Sequence, residues 1–193
     1  MRIVAGSWRG RSLAAPPGQA TRPTADRVRQ ALFDMLLHAP WGGRAVVEDA
    51  VVLDAFAGTG AMGLEALSRG AARCVFVESD PAALRALRAN IADCRADARC
   101  RVVAADVLKV GAGETATLAF LDPPYGQGLV PRAVAHLERN GWLAPRALIV
   151  AEAGREETWL PEADVLSERL YGAARIVVYR LGNDSAVRAV GVL

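Results

Sequence analysis

Histidine is scarce in this chain: His38 and His136 are the only two in 193 residues. Neither lies near a Gly-x-Ser-x-Gly elbow or near a second histidine at metal-ligand spacing. That argues against histidine-based hydrolysis and against a multi-histidine metal site, and each histidine is read as a helix-surface residue. Cysteine is nearly as rare. Cys74, Cys94 and Cys100 form no Cys-x-x-Cys pair and are odd in number, so neither a disulfide framework nor a zinc site is expected. Each is read as a small buried apolar side chain. No apolar run approaches the ~18 residues of a membrane-spanning helix. The opening Met1-Arg2-Ile3-Val4-Ala5-Gly6 lacks the apolar core of a secretory signal, so the cytoplasm is the expected location.

What is present describes a folded globular protein: 52% apolar residues and 23% charged. A chain of this length buries about 70% of its unfolded surface and folds without disulfides or metal, as one domain with at most a small appendage. The net charge of +2 is unevenly spread. Residues 1–44 hold Arg2, Arg9, Arg11, Arg22, Arg27, Arg29 and Arg44 against Asp26 and Asp34, a balance of +5, while the rest carries −3. Lys109 is the only lysine beside 22 arginines, and with 38 alanines this usage reads as codon drift. The asymmetry does not. A basic segment on a slightly acidic body suggests a polyanionic partner.

Apolar stretches at 2–5 and 11–15 flank Gly6-Ser7-Trp8-Arg9-Gly10 and predict a hairpin or tight loop, ended by Pro16-Pro17-Gly18. Apolar residues then recur at three and four through ADRVRQALFDMLLH, an amphipathic helix with Thr24 as N-cap. After Pro40-Trp41-Gly42-Gly43, strands alternate with helices. Strands are expected at 51–53, 74–77, 101–104, 117–121 and 147–151, and helices at 61–69, 81–94 and 130–140. This alternation predicts a mostly parallel sheet with helices on both faces. Segments 164–171 and 174–181 flank Gly172 with no room for a helix, so an antiparallel hairpin closes a seven-stranded α/β sheet.

The first strand runs into Leu53-Asp54-Ala55-Phe56-Ala57-Gly58-Thr59-Gly60-Ala61-Met62-Gly63. Gly58, Gly60 and Gly63 fit the Gly-x-Gly-x-x-Gly nucleotide loop, and Glu78 follows 20 residues after Gly58, where a ribose-binding acid belongs. Asp54, four residues before Gly58, suits a ligand with a positive end, such as the ammonium of a methionine moiety. The loop therefore permits S-adenosylmethionine and mildly prefers it over a nicotinamide dinucleotide, whose pyrophosphate sits on the helix N-terminus.

Asp122-Pro123-Pro124-Tyr125 ends the fourth strand, at the same sheet edge as the glycine loop. An exocyclic base amine is a poor nucleophile, because its lone pair is delocalised into the ring. The Asp122 carboxylate and the Pro123 carbonyl can each accept one amine hydrogen, drawing the nitrogen towards tetrahedral geometry. The prolines hold that carbonyl stiffly, and Tyr125 offers a ring on which an extruded base can stack.

LDAFAGTGAMGLEALSRGA, VFVESD and LDPPY together resemble the class I S-adenosylmethionine-dependent methyltransferases that act on exocyclic amines. RIVAGSWRGRSL, TRPTADRVRQALFDML and ERLYGAARIVVYRL narrow the resemblance to the bacterial 16S ribosomal RNA (guanine(966)-N2)-methyltransferases, over residues 2–181. The resemblance implies a Rossmann-like domain at 45–193 and a basic RNA-binding extension at 1–44. It implies that Asp54, Phe56, Gly58 and Gly60 hold the methionine end of the cofactor. Glu78 would bind its ribose, with Ser79 beside the adenine and Asp106 meeting the adenine amine. Asp122, Pro123, Pro124 and Tyr125 would handle the guanine amine, while Arg2, Arg9, Arg11, Arg22, Arg27 and Arg29 grip 16S ribosomal RNA in an assembling small subunit. No metal is implied, since methyl transfer from a sulfonium needs no Lewis acid. The alternatives are a DNA adenine or cytosine amino-methyltransferase, a nicotinamide-dependent oxidoreductase and a non-catalytic RNA-binding assembly factor. Residues 182–193 match nothing in the family.

Overall fold

The structure, a computed structural model, describes residues 1–16 and 23–182. Its centre is one seven-stranded sheet. The strands are β1 (Val51–Ala55), β2 (Arg73–Glu78), β3 (Cys100–Ala104), β4 (Ala116–Leu121), β5 (Leu143–Gly154), β6 (Asp164–Tyr171) and β7 (Ala174–Arg180). Their order across the sheet is β3-β2-β1-β4-β5-β7-β6. The first five are parallel, and β7 is antiparallel to both β5 and β6. The expected architecture is therefore observed. The chain winds outward from β1 through β2 to β3, then returns to place β4 on the other side of β1. That reversal leaves a crevice at the carboxyl ends of β1 and β4, where open α/β sheets bind ligands.

Strands buried on both faces read as continuous apolar runs, and here they divide residue by residue. Val52, Phe76, Phe120, Val150 and Val178 face a core with α1 (Pro23–His38), α2 (Ala61–Ser68) and α3 (Pro81–Asp93). Leu53, Val75, Val77, Leu121, Ile149 and Val177 face the opposite core, closed by α4 (Leu129–Arg139) and Trp142. Pro81 opens α3 where its missing N–H costs nothing, and Asp80 caps it by accepting from the Ala83 N–H at 2.7 Å. Cys74 and Cys94 are buried and Cys100 is half-buried.

Residues 1–16 are a narrow loop held by one bridge, Arg2 to Ser12, with Ile3 N–H donating to Arg11 O at 2.9 Å and Gly10 N–H to Ile3 O at 2.8 Å. Ile3 and Leu13 enter the same core as Leu32, Phe33 and Leu64, so the segment 1–44 and the body share one apolar interior. Polar side chains complete the attachment. The Glu65 carboxylate, wholly buried on α2, accepts the N–H groups of Val4 at 2.8 Å and Ala5 at 3.0 Å. Asn90 accepts from Ala14 N–H at 2.7 Å and donates to Ala14 O at 3.1 Å and Thr59 O at 2.9 Å. At Gly6, φ is +81° and a Cβ would lie 1.9 Å from Ser68 O, so only glycine permits this approach.

Three details differ from the sequence reading. α1 begins at Pro23, which puts Thr24 inside its first turn and not ahead of it. β5 runs twelve residues, because its start pairs with Ala116 across a register shift before the main ladder begins at Leu118. His136 is not a surface residue of α4: it is half-buried, its Nε2 2.8 Å from Val110 O. Arg22 and residues 183–193 lie outside the described residues.

Candidate active site

The crevice holds a cavity of about 420 Å³. Its floor is the ends of β1, β4 and β5, and its lining includes Asp54, Phe56, Gly58, Asp122 and Glu152. Met1 and, from α1, Val28 and Leu32 close one side; Tyr171 and Ala174 of the terminal hairpin close another.

The glycine loop is shaped by positive backbone angles. Gly58 (φ +55°) and Gly60 (φ +79°) turn the chain from β1 into α2, and Phe56 adopts φ +64° just before them. A Cβ on Gly63 would lie 2.4 Å from Phe76 Cε1 and 2.5 Å from Cys74 Sγ, so this third glycine lets α2 lie directly on β2. Asp54 Oδ2 accepts the Gly63 N–H at 2.8 Å, at the positive end of α2. Burial outweighs that bond. It pushes the Asp54 carboxyl up to about 8, with the Asp122 and Glu78 charges adding to the rise. Glu78 closes β2 and holds the loop from outside: Oε2 accepts Gly58 N–H at 2.7 Å, and Oε1 accepts Ser79 and Asp80 N–H, each at 2.7 Å. A carboxylate has about four lone-pair positions, so these three bonds leave Glu78 room for one further donor.

Asp106 caps the turn Val107–Lys109, accepting from Leu108 N–H at 2.9 Å. Gly60, Glu78, Ser79, Asp106 and the Pro123–Tyr125 stretch are not among the lining of the cavity itself. Asp54, Phe56, Gly58 and Asp122 are in it together.

Asp122 follows the last residue of β4 and opens to solvent in the cleft, yet protein crowds it on the other sides. That enclosure, together with the Glu152 charge, pushes its carboxyl up to about 7. Pro123 is buried, while Pro124 and Tyr125 are exposed. The Tyr125 hydroxyl donates to Glu152 Oε1. Burial and this bond push the phenol well above its usual range. Glu157 Oε1 then accepts Gly126 N–H at 2.8 Å and Gly154 N–H at 3.0 Å, fixing the loop after Tyr125 to the end of β5. These bonds lower the Glu157 carboxyl.

Glu152 and Glu157 were not anticipated from the sequence. Glu152 ends the apolar run 147–151, and only the pairing of Leu121 with Ala151 brings it beside Asp122.

The donor set fits S-adenosylmethionine. Among the described residues, Arg29 is the one basic side chain lining the cavity, and it is bound to the Asp26 carboxylate at 2.8 Å and faces Glu65. Asp54 suits an ammonium, Glu78 a ribose hydroxyl and Asp106 an amine. Among the described residues, no group of three or more His, Cys, Asp or Glu is placed to hold a metal ion.

The basic segment is less uniform than its sequence suggests. Arg2, Arg9 and Arg27 are exposed and share a shallow groove with Gln30, Asp26 and Asp34. Arg11 is exposed but its Nη1 donates to Asp93 O at the end of α3. Trp8 packs under the Arg99 guanidinium, 4.9 Å from the ring centre. Arg29 corrects the expectation of an outward arginine. It is 4% exposed, and its Nη2 also donates to Arg2 O at 2.5 Å. Its neighbours on α1 turn it towards α2, where the buried Glu65 needs a counter-charge.

A family model described as conserved hypothetical protein 95 matches residues 1–180. The chain is 44% identical over 155 residues to ribosomal RNA small subunit methyltransferase D of Escherichia coli strain K12, covering 79% of this chain and 74% of that protein. It is 35% identical over 188 residues to the protein of the same name from Haemophilus influenzae, covering 94% and 92%. A solved structure of a putative methyltransferase from Escherichia coli superposes with a TM-score of 0.80 at 39% identity, covering 94% of this chain and 98% of that one.

Proposed function

The chain belongs to the conserved hypothetical protein 95 family, and from that footing we propose that it transfers a methyl group from S-adenosylmethionine to the exocyclic N2 amine of a guanine in 16S ribosomal RNA. It has the Rossmann-like fold of class I methyltransferases, with strand order β3-β2-β1-β4-β5-β7-β6. The observation that carries the reading is the meeting of Asp54, Gly58 and Asp122 in one cavity at the switch point. The cofactor, when bound, supplies an electrophilic methyl on a sulfonium. Asp54 faces its ammonium, Phe56, Gly58 and Gly60 shape the methionine end, Glu78 takes a ribose hydroxyl, and Ser79 and Asp106 lie on the adenine side.

Asp122 accepts one hydrogen of the target amine and the Pro123 carbonyl the other, turning the nitrogen lone pair towards the methyl. Pro124 stiffens that carbonyl, and the exposed ring of Tyr125 is a stacking surface for the extruded base. Holding two reactants in line supplies several kcal/mol of the acceleration. As the N–C bond forms, the methyl's bond to sulfur breaks and its electron pair stays on a neutral thioether; the amine proton passes to Asp122, whose carboxyl, raised to about 7, is matched to that exchange.

The groove of Arg2, Arg9 and Arg27 takes RNA phosphates; the exposed Arg11 and, by sequence alone, Arg22 are assigned to the same role. Arg29 supports the groove from inside. The substrate is the ribosomal RNA of an assembling small subunit, in the cytoplasm. Among the described residues no helix is long and apolar enough to cross a membrane. The test is methylation with labelled S-adenosylmethionine of naked 16S RNA, immature small subunits and duplex DNA, followed by nucleoside analysis. Label in N2-methylguanosine is the expected result; label in DNA or in another nucleoside overturns the reading.

A further inference from the structure

Glu152 has no part in the assignments above. Leu121 and Ala151 are register partners on parallel strands, so the residues that follow them, Asp122 and Glu152, stand side by side. Both line the cavity. One oxygen of Glu152, Oε1, is fixed by the Tyr125 hydroxyl, and nothing among the described residues donates to Oε2. Two adjacent carboxylates repel each other unless a ligand brings a donor to each. The cavity is thus built for a molecule that presents two donors next to one another.

We propose that Glu152 is a specificity-determining residue that accepts the ring N1–H of guanine through Oε2, beside the N2 amine held by Asp122 and the Pro123 carbonyl. The proposal rests on the base-amine reading above and adds how the base is chosen. Guanine carries N1–H directly beside its amine: two neighbouring donors for two neighbouring carboxylates. In adenine the ring nitrogen beside the amine is N1, and in cytosine it is N3, both acceptors. Either would set a lone pair against the Glu152 carboxylate and leave a charged acceptor unpaired, which binding does not tolerate well. The Tyr125 hydroxyl keeps Glu152 from turning away. The same ring that stacks the base therefore also orients the group that reads its edge.

The experiment compares guanine with 2-aminopurine at the target position of an RNA substrate. 2-Aminopurine keeps the exocyclic amine, but its N1 is an acceptor. The unaltered protein is expected to favour guanine by about tenfold or more in kcat/KM, the loss that one unpaired charged acceptor implies. Glu152→Gln places an amide at the same point, whose NH₂ can donate to the N1 of 2-aminopurine. It is expected to narrow or reverse that preference by about tenfold while calorimetry finds cofactor affinity unchanged. Equal use of both bases by the unaltered protein overturns the proposal without any variant. An unchanged preference in Glu152→Gln, including a parallel loss on both bases, also overturns it and leaves Glu152 as a support for Tyr125 alone. If the unaltered protein puts its methyl elsewhere than guanine N2, the base-amine reading falls and this proposal with it.

Discussion

Arg29 on α1 and Glu65 on α2 face each other inside the protein, Nε to Oε2 at 3.6 Å, with both side chains almost wholly shielded from water. Glu65 also receives Arg69 Nε at 2.7 Å, and its acceptance of the Val4 and Ala5 N–H groups makes it the peg of the N-terminal loop. Without Arg29, Glu65 keeps Arg69 as its counter-charge, but the Arg29 bonds to Arg2 O and Asp26 are lost. Arg29→Ala should cost about 1–3 kcal/mol in urea unfolding. If stability is unchanged and the salt dependence of RNA binding falls instead, Arg29 is a phosphate contact after all.

The groove arginines should behave in the opposite way. Arg9 and Arg27 are exposed in the shallow groove. The double alanine variant should keep its melting temperature and its cofactor affinity. Its plot of log affinity against log salt on single-stranded RNA should lose about 1.4 in slope, ~0.7 for each phosphate released. An unchanged slope would remove these residues from the RNA surface.

Asp122→Ala is expected to cut single-turnover methyl transfer about a hundredfold or more, with S-adenosylmethionine still bound. The contact to the amine matters most in the transition state. Because the carboxylate form is the acceptor, kcat/KM should fall as pH drops through about 7. That acid limb belongs to Asp122, whose carboxyl the Glu152 charge helps to raise. Glu152→Gln, which removes the neighbouring charge, should move it to lower pH. A flat acid limb in the unaltered enzyme would contradict the proton assignment.

Asp54 carries a second pH signature. Its folded-state carboxyl is raised from 3.8 to about 8, so at neutral pH most of it holds a proton in the ligand-free protein. A ligand ammonium favours the ionised form. Cofactor binding near pH 7 should therefore release a proton, seen as a buffer-dependent enthalpy in calorimetry, and affinity should rise as pH climbs towards 8. The stability sign is the reverse: a raised acid contributes fully below its unfolded value and loses that contribution as pH rises through about 8. Asp54→Asn should flatten the fall in melting temperature between pH 3.8 and about 8. No proton release at neutral pH would count against Asp54 as the ammonium partner.

The sheet was legible because β1, β2, β4, β5 and β7 are largely buried apolar runs and its helices begin at a glycine or proline, signals that local sequence carries. The glycine loop and Asp122-Pro123-Pro124-Tyr125 were legible for the same reason. What escaped depends on pairing between distant segments. Glu65 and Arg69, four apart on a helix, read as an exposed surface pair, and nothing local says that residues 1–8 cover them. Arg29 reads as one more basic residue until α1 is laid on α2. Glu152 reads as the end of an apolar run until β5 is set beside β4. Asn90, with no exposed surface, reads as an ordinary polar position on α3 until Ala14 is found against it.

The N-terminal loop has a consequence for how the chain is made. Its anchors lie far along the sequence: Val4 is 61 residues from Glu65, and Ala14 is 76 residues from Asn90. During synthesis the N-terminal end emerges first, yet it docks only after α2 and α3 have formed. Contacts of such separation form late, since the chain must close a long loop before they reward it. A nascent chain that stops short of Asn90 therefore carries its arginines as a loose basic strand, without the groove that gives them a shape.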